Sequence, residues 1–377
     1  MKYDVLIIGG GVNGLAVAYH LSHIKKLKVL LLEQFTLGNP FGGSHGFSRI
    51  IRGTYANPIY IQWMKRVYQY EWPLLEKEAG RRLIHPNPGC FFGTGKLFEK
   101  YLQAIENSGF DIQRLSVSDA RRLFPQFTFA NCSAVLSDRT GGVIAAAEVL
   151  QNLAHIARKN GVEIRENTKV VNIDADKNSL QVMTDEETFS TNRLVVATGA
   201  YLPQLFPQFR SHLTAIRQTI GYFILQGDPK SFQIGNFPNW SYLGEQVFYG
   251  LPEFGSKGIK VAQHRTSGKT DDPNQHISQG DPAEIKILEH FVKEQFVQPI
   301  QKLVSSETCF YANTPTEDFI LECLPSDPRV VIGSACSGHA FKFAPLTGRI
   351  LAELALHGKT TIPEFEEYKQ IFLTPLH

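Results

Sequence analysis

The chemistry this chain could do is concentrated in a few residues. Gly9, Gly11 and Gly14 stand in G-x-G-x-x-G spacing, between a β-branched apolar run at 2–8 (KYDVLII) and a helical stretch at 16–23. A second apolar run, 28–32, ends at Glu33. The parts in that order suit a dinucleotide. The first glycine allows a tight turn, the second lets the backbone approach a pyrophosphate, and the third lets helix pack on strand. A helix N-terminus offers unpaired N–H groups to phosphate. Glu33 would accept hydrogen bonds from a ribose 2′-hydroxyl, which favours FAD or NAD over NADP. A nucleotide-free turn would explain the glycines, but not the strand, helix and acid around them.

Three cations and one thiol come next. Arg52 and Lys342 sit in apolar company, Ile50-Ile51-Arg52 and Phe341-Lys342-Phe343. Such residues are most often solvated, yet a charge in an apolar segment wants an anionic partner. Lys260 lies in Gly258-Ile259-Lys260-Val261, where period-2 alternation puts it on one sheet face with Gly258 and His264. Its plain reading is a lysine on a solvated face. Cys309, read alone, is a small buried hydrophobe.

The elements that must position these groups follow from pattern. Residues 34–53 read as an irregular loop, and 58–80 as a long helix opened by Pro58 and closed by Gly80. Residues 81–142 show no α/β alternation; 98–107 and 117–123 read as helical. An amphipathic helix at 145–160 leads to a strand at 162–165, a meander at 170–175 and 180–184, and a buried strand at 193–198. Residues 216–264 alternate as an antiparallel sheet, 282–294 are helical, and 306–322 form two strands about Pro315. A strand at 330–333 and a final helix at 346–357 close the chain. The expected fold is α/β plus antiparallel β. A Rossmann-type domain of 1–82, 143–215 and 318–377 carries an inserted, mostly antiparallel substrate domain of 83–142 and 216–317.

Composition narrows the function classes. With 377 residues, two domains are expected. A net charge of +2 without a Lys/Arg run argues against nucleic acid, and no apolar run reaches membrane-spanning length. The first strand begins at once, leaving no room for a signal peptide, and residues 374–377 are no peroxisomal address. Cys90, Cys132, Cys309, Cys323 and Cys336 form no C-x-x-C pair and no metal-like spacing. A reducing, cytoplasmic setting is expected, with no metal.

The chain resembles the monomeric sarcosine oxidase family of flavin amine oxidases, with N-methyltryptophan and pipecolate oxidases, inside the D-amino-acid-oxidase-like group. The resemblance rests on the N-terminal fingerprint, S-H-G-x-S-R-I-I-R at 44–52, and Tyr249, Gly250, Pro252, Gly255, Ile259, Lys260 and His264 within 249–264. C-x-Y-x-x-T-P-x-x-D-F-I-L at 309–321 and S-G-H-x-F-K-F at 337–343 complete it. It implies a nucleotide domain like that of p-hydroxybenzoate hydroxylase. FAD would be held by Gly9, Gly11, Val12, Asn13, Gly14, Glu33, Gln34, Ser44, His45, Arg49, Val170, Gly199, Gly338, His339, Phe341 and Lys342, and bonded covalently through Cys309. It further implies that Arg52 and Lys342 bind the substrate carboxylate, with Tyr311 beside them. Lys260 would activate oxygen, with Arg49, His45, Tyr249 and His264 around the flavin ring and substrate. Phe47 and Ser48 depart from an acid and a threonine in the best-known members, which puts the loop's hydrogen bonding and the pocket size in question.

The expected function is an FAD-dependent oxidase of a small secondary-amine amino acid (sarcosine, another N-methyl amino acid, proline or pipecolate), making an imine and hydrogen peroxide from O2. A monomer is expected, with no nucleic acid or membrane partner. Alternatives are a dehydrogenase of the same fold, which Lys260 argues against, and a flavin-dependent tRNA-modifying enzyme, which the near-neutral charge argues against. A non-catalytic flavin module would not need paired substrate cations.

Overall fold

The computed structural model describes residues 2–106, 108–265, 270–334 and 336–372. Asn107, at the end of one expected helix, and the C-terminal stretch 374–377 lie outside the described residues.

The strand Lys2–Ile8 is central to the first sheet. It pairs in parallel with Val29–Leu32 on one side and Thr188–Val196 on the other. Glu163–Arg165 extends the sheet in parallel beyond Val29–Leu32, and Asp327–Ser334 joins Thr188–Val196, also in parallel. The meander Val170–Ala175 and Leu180–Thr184 completes one edge. Buried strands read as continuous apolar runs, as Val29–Leu32 does.

One face of this sheet is covered by three helices. Val12–Ser22 packs between Ala146–Lys159 and Ala344–His357. It buries Leu15, Val17 and Leu21 completely, each worth about 1.5–3 kcal/mol. Gly348 permits the close crossing: a Cβ there would lie 2.4 Å from that of Ala16.

The second sheet runs Ile300–Asn313, Thr214–Leu225, Ile259–Gln263, Val247–Leu251, Asn239–Leu243, Gly89–Gly93, Val135–Asp138, Ile112–Leu115. Every pairing is antiparallel except Asn239–Leu243 with Gly89–Gly93. The architecture is thus a Rossmann-type α/β domain with an inserted, mixed but largely antiparallel sheet, as expected. A small third sheet joins Ser48–Ile51, Gly142–Ala145 and Ile84–Pro86.

Some elements differ from expectation. The first helix begins at Val12, so Gly14 lies within its first turn. The loop after Glu33 contains the strand Ser48–Ile51, whose partner Gly142–Ala145 is nearly a hundred residues away and so leaves no local trace. The 58–80 helix contains a π-helical turn, Val67–Glu71, just before Trp72–Ala79. Pro73 lacks an N–H, and the wider turn accommodates the break it makes in the helical ladder. Ala344–His357 is not the last helix: Pro363–Phe372 follows and packs on Pro58–Arg66.

Candidate active site

Two adjoining cavities, of about 1140 and 390 Å3, share Gly11, Gly43, Ser44, Ala197, Gly199 and Ala200 on their walls. The smaller is the nucleotide cradle. Gly9 has φ +104°, and a Cβ there would lie 2.5 Å from the carbonyl oxygen of Ala197. A Cβ on Gly14 would lie 1.9 Å from the carbonyl oxygen of Gly9. Gly14 lines neither cavity, so its part is to let helix and turn meet. Near Gly11 a Cβ would meet only the Ser44 hydroxyl, leaving the space that a pyrophosphate needs. The Val12 N–H, at the helix N-terminus, donates to Ser44 Oγ at 3.0 Å. Glu33 is buried at 6% exposure; its two oxygens accept from the N–H groups of Gly10 at 2.6 Å and Phe35 at 2.9 Å. Burial raises its pKa above the usual carboxylate value. Gln34, His45 and Val170 line the same cavity. The cradle fits a dinucleotide such as FAD.

The larger cavity opens between the two sheets and gathers the remaining expected residues: Val12, Asn13, Arg49, Arg52, Tyr249, Lys260, His264, Cys309, Tyr311, Gly338, His339, Phe341 and Lys342. Arg52 and Lys342 meet at one end. The Lys342 ammonium, 6% exposed as a residue, donates to Tyr55 Oη at 3.1 Å and to the His339 carbonyl at 2.9 Å. Burial, then the charges of Arg52 and Arg49, hold its pKa well below the ordinary lysine value. The Arg52 guanidinium lies over three rings, Tyr55, Phe91 and Tyr101, at 4.8, 5.2 and 5.5 Å. One guanidinium nitrogen, Nη1, is buried without a hydrogen-bond partner. Among the described residues neither cation makes a salt bridge.

The backbone beyond Arg52 is pinned by Asp138, which is fully buried. Its carboxylate accepts from the N–H groups of Gly53 and Thr54, at 3.0 and 3.1 Å, and from the Thr54 hydroxyl at 2.7 Å. Tyr55, Phe91, Tyr101 and Asp138 escaped the sequence reading, because each approaches Arg52 from an element with no motif around it.

Lys260, Cys309, Tyr249 and Tyr311 lie further along the same cavity. Lys260 is only 3% exposed, so the solvated-face reading is corrected; its nearest hydrogen-bond acceptor is the Ser48 carbonyl at 3.5 Å. Burial, then Arg49, lowers its pKa to about 8. Burial pushes the Cys309 thiol up to about 11, while Arg49 and Lys260 pull the other way. Tyr311 donates to Tyr249 at 3.1 Å, and burial raises Tyr249 to about 12. Gly338 must be glycine: its φ is +73° and a Cβ would lie 2.2 Å from the Tyr311 ring.

Arg49 is turned onto its own loop, donating to the carbonyls of Gly43, His45 and Ser48 at 3.0, 2.6 and 2.8 Å. His45 has a buried Nδ1 without a partner, and burial followed by Arg49 lowers its pKa to about 4. His264 stands at the rim, with Nε2 3.6 Å from the Glu317 carboxylate. Phe47 lines neither cavity and is 47% exposed. No group of three or more His, Cys, Asp or Glu could hold a metal ion among the described residues, and no helix there is long and apolar enough to cross a membrane.

The profile of a family described as FAD dependent oxidoreductase (DAO) matches residues 4–354. The chain is similar to peroxisomal sarcosine oxidase of Mus musculus, 35% identical over 367 residues, covering 94% of this chain and 92% of that one. The Homo sapiens protein of the same name is 33% identical with the same coverage. Monomeric sarcosine oxidase of Arthrobacter sp. (strain TE1826) is 26% identical, over 95% of this chain and 93% of that one. Among solved structures, the open form of NikD, an unusual amino acid oxidase, aligns with TM-score 0.82 at 24% identity, over 96% of this chain and 95% of that one. L-Proline dehydrogenase from P. horikoshii aligns with TM-score 0.80 at 18% identity, over 97% and 98%. At those identities the two structures bear on the fold alone. The mammalian relatives overturn the cytoplasmic expectation, since both are peroxisomal by name. Cysteine usage reports whether thiols pair, and not which compartment leaves them unpaired. The chain belongs to the DAO family of FAD-dependent oxidoreductases, and it is a flavin-dependent oxidase of amino-acid-like amines.

Proposed function

We propose that this enzyme oxidises the C–N bond of a small secondary-amine amino acid: sarcosine, another N-methyl amino acid, proline or pipecolate. One observation carries the reading. Arg52 and Lys342 are two buried cations facing one cavity, with no carboxylate in a salt bridge to either among the described residues. Such a pair is matched to an anion that arrives with the substrate. The guanidinium offers a fork and the ammonium a point charge to one carboxylate. The same positive field favours the neutral form of the substrate amine, so no strong side-chain base is required. The sarcosine oxidase names of relatives at 26–35% identity support the choice of amine.

When bound, FAD would accept a hydride from the carbon beside the amine nitrogen, which loses a proton as the imine forms, and would pass the two electrons with two protons to O2, giving hydrogen peroxide. Gly9, Gly11, Val12, Asn13, Glu33, Gln34, Ser44, Val170 and Gly199 would hold its nucleotide, with Gly14 keeping the helix against the Gly9 turn. His45, Arg49, Gly338, His339, Phe341 and Lys342 would frame its ring, and Cys309 would bond to it covalently. Tyr249, Tyr311 and His264 would orient the substrate, and Lys260 would supply fixed positive charge for the oxygen step. In this reading 1–82, 143–215 and 318–377 hold FAD, 83–142 and 216–317 face the substrate, and the chain works as a monomer on a small amino acid and O2.

Anaerobic bleaching of the flavin by a panel of amines tests the proposal. N-methyl and cyclic amino acids should bleach it faster than glycine or simple amines; faster bleaching by primary amino acids would overturn it. Colour should stay with acid-precipitated protein and leave in Cys309→Ser.

A further inference from the structure

Lys260 shares its sheet face with an acid. Along Ile300–Asn313, alternation puts Glu307, Cys309 and Tyr311 on one side. Cys309 and Tyr311 line the larger cavity, so Glu307 lies on that same face, two residues before the thiol. On the adjoining strand Tyr222 is the direct partner of Lys260, and its hydroxyl donates to Glu307 Oε1 at 2.7 Å. Close by lies Gly46, in the loop that leads into the strand carrying Arg49. A Cβ built on Gly46 would be 3.4 Å from Glu307 Oε1 and 3.5 Å from Arg49 Nη1, so acid and guanidinium flank one glycine.

The groups that face Lys260 can be taken element by element. Ser48–Ile51 contributes Arg49 and the Ser48 carbonyl; the loop before it contributes His45. Thr214–Leu225 contributes Tyr222, a hydroxyl kept protonated by burial and by Glu307. Val247–Leu251, paired with the Lys260 strand, contributes Tyr249. Ile300–Asn313 contributes Cys309 and Glu307. Burial and Arg49 work against the charged ammonium; Glu307 works for it.

We propose that Glu307, braced by Tyr222, is a positioning residue for Lys260, supplying from the same sheet face the counter-charge that keeps its buried ammonium charged. This rests on the oxygen role given to Lys260 above. Without the carboxylate, burial and Arg49 act with less opposition, so the pH at which Lys260 loses its proton falls and oxygen reactivity is confined to lower pH.

Glu307→Gln in the flavin-loaded enzyme is the test, because glutamine can still accept from Tyr222. Two quantities are followed against pH. The first is acetylation of Lys260 by trace acetic anhydride, read by mass spectrometry, since only the neutral amine reacts. The second is stopped-flow reoxidation by O2. In Glu307→Gln both midpoints should fall by about one pH unit, the lower end of what an opposite neighbouring charge supplies. At the pH of the unmutated midpoint, reoxidation should then be about fivefold slower, approaching the unmutated rate below it. Glu307→Asp should lie between the two. An unmoved labelling midpoint in Glu307→Gln overturns the proposal. If that variant does not fold, an unmoved midpoint in Glu307→Asp does so by itself. Lys260→Met separates the two readings. If it leaves reoxidation unchanged, the oxygen role of Lys260 fails, while the labelling midpoints still report whether Glu307 sets its charge.

Discussion

The nucleotide cradle and the cation-lined cavity adjoin one another, yet they are specified in opposite ways. The cradle takes about half of its wall from residues 8–45, the strand–turn–helix–strand run and the loop after it, and most of the rest from 168–171 and 197–205; its critical contacts are between backbone atoms and missing side chains. The cavity draws Arg52 from just past the strand Ser48–Ile51, Lys260 and Cys309 from the second sheet, and Lys342 from the turn before the Ala344–His357 helix. Its critical contacts are charges held against aromatic rings. A site built from backbone can fail through the addition of one methyl group. A site built from charges fails when a charge is removed, and only for ligands that meet that charge.

The sharpest way to break this contrast is at Gly14. Gly14→Ala would place a methyl 1.9 Å from the Gly9 carbonyl oxygen, which only a backbone shift can relieve. The expected outcome is protein with little or no bound flavin by absorbance ratio, and a stability loss of about 1–3 kcal/mol. Full flavin content would mean that the cradle tolerates what its geometry forbids.

Arg52→Ala and Lys342→Ala should do the reverse: retain flavin and lose carboxylates. Acetate-like inhibitors and amino acid substrates should each bind more weakly by roughly 2–5 kcal/mol, with amines lacking a carboxylate much less affected. Lys342 adds a sign that calorimetry can check. Its pKa is depressed in the free enzyme by burial, Arg52 and Arg49, and an arriving carboxylate raises it. Inhibitor binding should therefore take up protons, and affinity should fall as pH rises from the free toward the bound value. No proton uptake, or equal losses for both ligand types, would assign these cations to the fold.

Legibility follows the same division. The fingerprint, the domain insertion and the buried strands at 2–8 and 193–198 were readable because local pattern carries them. The strand Ser48–Ile51 was not, because its partner is remote. The aromatic box around Arg52 was not, because Tyr101 comes from a helix and Phe91 from a strand of the inserted domain. Glu307 did leave a signal: it lies two residues before Cys309 on a strand, hence on the same face. The solvated reading of Lys260 failed because alternation tells which residues share a face, but not whether another layer covers it.

Lys260→Met asks whether charge inside the cavity divides by half-reaction. It keeps the length of the side chain and deletes the cation. Anaerobic reduction by substrate should stay within about tenfold, roughly 1.4 kcal/mol. Reoxidation should slow by about a hundredfold or more, roughly 2.7 kcal/mol, the scale of one preorganised electrostatic group. Stopped-flow traces of each half-reaction measure both. Equal losses would make Lys260 a support for the flavin or substrate.

The smallest effect is expected at Phe47, and it refines the comparison. Phe47 stands inside a matched motif, between His45 and Arg49, where a departure from the family pattern looked consequential. The ring instead lies over Gly255, where a Cβ would come within 2.6 Å of Phe47 Cβ, and the residue lines neither cavity. What the site uses at this position is backbone: the Phe47 carbonyl accepts from the Ala146 N–H at 2.9 Å, tying the loop to the start of a helix. Any residue with ordinary backbone can make that bond. The half-exposed ring contributes only part of a buried phenylalanine's 1.5–3 kcal/mol. Phe47→Ser should therefore cost no more than about 1 kcal/mol in denaturant unfolding and leave KM for substrate within about twofold. A larger change in KM with stability intact would show that the ring's packing on Gly255 sets the geometry of Arg49 and Arg52, drawing this loop into the charge-built site.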